Sequence, residues 1–398
     1  MSPVRPVIEP LTTSVGHRLP YAMLSRTEGW FWRDGNGGNR QRHNADNRIE
    51  PGGVSRRPSW RRLTVSLGLA LVTAVLSGCH ATPPDRTADV ARLARLLGAM
   101  PGVQTVNHTV TNRPAQGLVR FAIDIEIADD ITEDQLAAVV SRYLQDLTMV
   151  NYTGYHTELA AHHGWNVFAI DDGRLPIENA RQILSQARDW VAMRREFPTA
   201  TVRLRATVSH PNGRSTLQEW GHSDVGSIRL ADAADYRDVA AVVTTMSGKF
   251  PGLASLTWTV SAGDDHPAEI KSVRRFPNTR ELDVWSQLNA DQTIPHIDKL
   301  TINGRVQSPV WLAEQTRSHD PADAVALAHR HLPLVATLAA PTLYTASDQI
   351  QGHITGNGLA TGAIAITVGG CTARDLLVYQ PPAAEQALMN TYETCKHP

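Results

Sequence analysis

Cysteine is scarce, with three residues in 398, at positions 79, 371 and 395. No Cys-x-x-Cys pair is present, so a thiol redox or zinc-ribbon site is not encoded. Aromatic residues make up only 6 % of the chain. The tryptophans at 165, 190, 220, 258, 285 and 311 stand singly, which points to core packing rather than a stacking platform. Excess positive charge is also missing, since the whole chain carries a formal charge of −1. Nucleic-acid binding, which wants a basic face, has no electrostatic support. Beyond residue 79 no run of 18 apolar residues occurs, so no bilayer-spanning helix is expected there. The sequence has no Gly-x-Ser-x-Gly elbow, no Walker A loop and no His-Glu-x-x-His.

The N-terminal region is different in character. Arg56, Arg57, Arg61 and Arg62 precede an apolar stretch from Leu63 to Leu76, which is too short to span a bilayer of roughly 30 Å. Small residues and a cysteine follow, the layout of an export signal. The tetrad Leu76-Ser77-Gly78-Cys79 resembles the bacterial lipobox. That resemblance implies cleavage before Cys79, a diacylglyceryl anchor on its thiol, and location at the extracytoplasmic face of the cell membrane. Two acyl chains hold a protein at a membrane where one does not. Residues 54–78 then form the signal peptide. Residues 1–53 are polar and aperiodic, an expected disordered extension or over-extended start, with Val54 or Met23 as alternative initiators. Residues 1–78 hold 11 of the 38 basic and 5 of the 39 acidic side chains, leaving 27 against 34 and a charge of about −7 on the remainder. With Cys79 lipidated, Cys371 and Cys395 remain as a pair on the oxidising side of the membrane, and a disulfide between them is expected.

After a tether over 79–86, apolar periodicity predicts an α+β fold. A helix is expected from Thr87 to Met100, strands at 103–110 and 118–127, a helix from Thr132 to Leu147, and one strand within 157–170. The order recurs: helix 177–197, strand 201–208, a turn at His210-Pro211-Asn212-Gly213, strand 215–228 with a bulge or break near Gly221 and Gly226, helix 235–250, and strand 254–260. A looser third copy has helix 279–288, strand 299–306, helix 322–336, and strands near 342–346 and 363–368. A helix at 383–392 ends the chain. The shared α-β-β-α-β pattern predicts modules at 87–173, 174–265 and 266–398, helices packed on mixed or antiparallel sheets. By element order alone these resemble ferredoxin-like or BON-type modules.

Candidate chemistry is sparse. Gly356-Asn357-Gly358 with Gly362 misses the dinucleotide-loop spacing and reads as a turn. His162 and His163 are adjacent and in a strand would face opposite sides. His329 and His331 lie two apart on a predicted helix and diverge. Convergence of His163 with His222 and Asp224 is left open by the sequence. Asp129, Asp130, Glu133, Asp134, Asp232 and Asp235 fall at helix starts, where carboxylates cap backbone N–H groups, and Asp264-Asp265-His266 reads as a loop. No catalytic, cofactor or metal residue is therefore assigned, and the site residues are Cys79 for the lipid and Cys371 with Cys395 for the disulfide. The expected role is a membrane-anchored binding or assembly module of the cell envelope, with an envelope protein or polymer as partner and no nucleic acid. The alternative is an envelope hydrolase whose acids and histidines converge only in three dimensions.

Overall fold

The structure, a computed structural model, describes residues 83–152, 154–173, 180–207, 225–304, 306, 308–318, 320–348, 364–374 and 380–395. The expected export signal, Cys79, the turn expected at 210–213, His222, Asp224 and the turn expected at Gly356–Gly362 lie outside them. The elements are α1 (Thr87–Gly98), β1 (Val103–Arg113), β2 (Leu118–Ile127), α2 (Glu133–Met149), β3 (His156–His163), β4 (Asn166–Gly173), α3 (Ala180–Glu196), β5 (Thr201–Thr207), β6 (Val225–Arg229) and α4 (Tyr236–Lys249). They continue with β7 (Thr257–Ser261), β8 (Glu269–Val273), α5 (Thr279–Ala290), β9 (His296–Ile302), β10 (Val310–Thr316), α6 (Pro321–Val335), β11 (Thr342–Ser347), β12 (Ile364–Val368) and α7 (Ala383–Tyr392).

The chain is α+β, and among the described residues twelve strands form one sheet in strict sequence order. Pairing alternates throughout: β1–β2 is antiparallel, β2–β3 parallel, β3–β4 antiparallel, and so on to the antiparallel β11–β12 pair. The alternation follows from the connections. Hairpins need only a tight turn, whereas each parallel step needs a crossover, here supplied by a helix. The underlying unit is thus ββα, used six times. The α-β-β-α-β pattern is two such units with one strand unrecognised. Positions 173 and 265 fall at the end of β4 and in the β7–β8 connection, and the ladder runs on through both.

The helices share one face of the sheet. Ladder partners point to the same side, and Ile228, Val260, Ile270, Leu300, Leu312, Tyr344 and Ile366 make one buried row across seven strands. This row joins the apolar faces of all seven described helices in a single core. Trp190, Trp258 and Trp285 are fully buried in it, while Trp165 sits exposed at a hairpin tip. The other face of the sheet is polar over β2–β5, with Arg120, Asp124, Glu126, His156, Glu158, His162, Asp171, Arg203 and Arg205 on the alternate positions.

Two expectations are corrected. The single strand within 157–170 is a hairpin, because Gly164 takes a positive φ of 57° between β3 and β4. Gly226 marks neither bulge nor break, since the β5–β6 register is regular. A Cβ at Gly226 would lie 2.3 Å from the Trp258 ring, so glycine is there to admit the indole. Cys371 and Cys395 are joined by a disulfide, their Cα atoms 5.5 Å apart. It ties the segment after α7 to the turn after β12, beside backbone bonds from Gly369 N to Tyr392 O and Thr394 N to Gly370 O.

Candidate functional site

Inward positions of the strands are apolar almost everywhere. On β9 and β10 they are not. Alternation on β9 turns His296 and Asp298 inward with Leu300 and Ile302, and on β10 it turns Glu314 and Thr316 inward with Val310 and Leu312. Asp298 and Glu314 are direct ladder partners. From above, α6 presents His331, and β11 supplies Tyr344. The α5 C-cap residue Asp291 completes the group. His296, Asp298, Glu314 and His331 are each at most 4 % exposed.

The contacts are short and polar. His331 Nδ1 lies 2.6 Å from Glu314 Oε1, and its Nε2 lies 3.4 Å from Asp291 Oδ2. The Tyr344 hydroxyl donates to the other oxygen of Glu314. His296 places Nδ1 2.6 Å from Ile294 O and Nε2 3.1 Å from Asp298 Oδ2, the latter out of line for a hydrogen bond. The two imidazole centroids are 5.6 Å apart. Arg330 and Thr293 hold Asp291 from the solvent side.

Proton affinities are displaced at His296, His331, Asp298, Tyr344 and Asp291. Burial opposes the charged form of His296, but the carboxylates of Asp298 and Glu314 outweigh it and lift its pKa to about 9. His331 is likewise raised, with Glu314 and Asp291 overcoming burial. Burial raises the carboxyl of Asp298. Burial and Glu314 drive the Tyr344 phenol well above its ordinary range. Hydrogen bonds from Arg330 and Thr293 hold Asp291 below the usual carboxylate range.

A cleft of ≈ 180 Å³ opens beside the cluster. It lies between the start of α4 (Asp235, Tyr236), the β7–β8 connection (His266, Pro267, Ala268) and the end of α5 (Asn289, Gln292), with Arg317 at its rim. Only His296 belongs both to the cleft wall and to the buried group. The lining offers donors and acceptors in near balance: a carboxylate, a guanidinium, two amides, two imidazoles and a phenol.

The residues singled out from sequence sit elsewhere. His329 is exposed and His331 buried, so they do diverge, but His331 meets partners on other strands. His162 and His163 both approach Glu126, at 2.8 and 3.7 Å, because His163 ends β3 and turns back toward Ile127 O. Asp235 caps α4 as expected, whereas Asp129 and Asp134 pair with Arg194 and Arg188. Asp264 pairs with Arg229 at 2.8 Å. The chain matches no protein-family model, no curated protein and no solved structure.

Proposed function

We propose that this chain is an envelope lipoprotein, held by a diacylglyceryl group on Cys79 at the extracytoplasmic face of the cell membrane, and that its folded part binds a small polar ligand. The observation that carries the binding role is the cleft walled by His296, whose mixed donors and acceptors suit a zwitterionic or polyhydroxylated molecule. Among the described residues no helix is long and apolar enough to cross a membrane, and the anchor rests on the lipobox resemblance. Intact-mass and N-terminal peptide mass spectrometry on protein from the envelope tests it. Cys79 carrying acyl chains supports the reading, and an unmodified Met1 N-terminus refutes it. Ligand-observed NMR with amino acids, monosaccharides and dicarboxylates tests the cleft. A binder that loses affinity about tenfold in Arg317→Ala and Gln292→Ala supports it, and an unaffected binder places the site elsewhere.

The hydrolase reading has one observation in its favour, the convergence of strongly shifted histidines and acids behind the same cleft. Three of these four groups lie behind His296 and do not line the cleft, so binding is preferred.

A further inference from the structure

We propose that His296, Glu314 and His331, with Asp298 as fourth donor, bind one divalent ion of the zinc class as a structural clamp joining β9, β10 and α6. The donor atoms of His296, Glu314 and His331 all lie within 4.8 Å of one another. Tetrahedral ligands at roughly 2.0–2.2 Å from zinc stand about 3.4 Å apart, so binding draws them inward by a small movement of side chains. A set of two imidazoles and carboxylates suits zinc, whereas calcium and magnesium take all-oxygen shells.

A second observation is independent of that spacing. Neither oxygen of Asp298 has a hydrogen-bond donor, nor does His296 Nε2 have a partner in hydrogen-bond geometry, although Asp298 is 1 % exposed. Asp298 and Glu314 stand directly opposite on neighbouring strands, where like charges repel. No lysine or arginine among the described residues pairs with either. Buried charges are paired or coordinate a metal, and these two acids face the two imidazoles.

The outer contacts also fit. A ligating imidazole typically has its other nitrogen held by a carbonyl or carboxylate. His296 has Nδ1 at Ile294 O, which leaves Nε2 for an ion. His331 has Nε2 at Asp291 Oδ2, which leaves Nδ1 toward Glu314. Asp291 is fixed in turn by Arg330 and Thr293. The four donors are each at most 4 % exposed and only His296 borders the cleft, so the ion serves structure and not turnover.

The proposal is independent of any ligand in the cleft. The test uses the full chain, stripped with EDTA, mixed with zinc chloride at pH 8, and desalted before elemental analysis and thermal denaturation. One zinc per chain and a raised midpoint are expected. Glu314→Gln and His331→Gln should each lower retained zinc at least about tenfold, while His329→Gln, which replaces an exposed imidazole on the same helix, should keep it. Wild-type protein retaining less than about a tenth of an equivalent overturns the proposal, as do variants that retain zinc fully. Should either glutamine variant fail to fold by circular dichroism, cobalt(II) added to the stripped wild type decides. Visible bands of a four-coordinate site support the clamp, and a six-coordinate aqueous spectrum ends it.

Discussion

Glu158 stands on the polar face of the sheet, yet its carboxyl is pushed up to about 7. Burial is the main cause, and the nearby carboxylates of Asp171 and Asp124 add to it. In the unfolded chain it titrates near 4.5, so between those values the folded protein holds a proton that the unfolded chain has lost. Stability therefore falls as pH rises across that window and stays lower above it. Glu158→Gln removes the effect. The variant's advantage over wild type should grow by about 1–2 kcal/mol between pH 5 and pH 8, allowing for solvent screening. Urea titrations at the two pH values measure it, and an advantage independent of pH contradicts the assignment. The buried cluster is a lesson at the same scale. The alternation His296-Ile-Asp298-Lys-Leu300 puts two polar side chains on an apolar face, a signal present in the sequence. Its meaning needs Glu314 and His331, which follow Asp298 by 16 and 33 residues on two other elements, so the four residues do not meet on paper.

Among elements, long periodic helices were legible to within a few residues: those expected at 235–250, 279–288 and 322–336 are α4, α5 and α6. Short strands were legible in part: those expected at 201–208, 254–260, 342–346 and 363–368 are β5, β7, β11 and β12. β4, β8 and β10, five to eight residues long, were not. β4 follows β3 after only two residues, so one apolar run reads as one element. Gly226 shows how an element can be misread through one residue. Glycine in a strand suggests irregularity, but its reason here is Trp258 on the neighbouring strand, which no local pattern reveals. Gly226→Ala should destabilise the protein by about 1–3 kcal/mol through overpacking. Pairing it with Trp258→Leu should return part of that loss in a double-mutant cycle. Strictly additive losses in chemical denaturation would mean that the two residues do not collide.

For the molecule as a whole, the last edge of the sheet is covered by side chains. At β12 the outward backbone groups are engaged by side chains: Glu385 accepts from Ala365 N at 3.3 Å, Glu393 from Thr367 N at 3.1 Å, and Arg374 donates to Ala365 O. The Cys371–Cys395 link holds that cover in place across 24 residues of sequence. Cys371→Ser with Cys395→Ser should cost about 3 kcal/mol by loop entropy. It should also promote self-association as the edge loosens, since an open strand edge templates pairing. Sedimentation and thermal denaturation of the non-reduced wild type against the double variant check both, and equal stability would show the cover to be self-sufficient.

Strict strand order has a further consequence, which concerns reach. With strands about 4.8 Å apart, the sheet measures roughly 50 Å from β1 to β12, and distance along it increases with residue number. Seven residues lie between Cys79 and Thr87, and the eight steps span roughly 25–30 Å at full stretch. A lipid on Cys79 would therefore tether the molecule by its β1 end. The ninth strand, with His296 beside the cleft, lies about 40 Å farther along the sheet. With such a tether the fold would act as a spacer between the lipid and the cleft, and adding or deleting one ββα unit would change that distance in steps of roughly 10 Å.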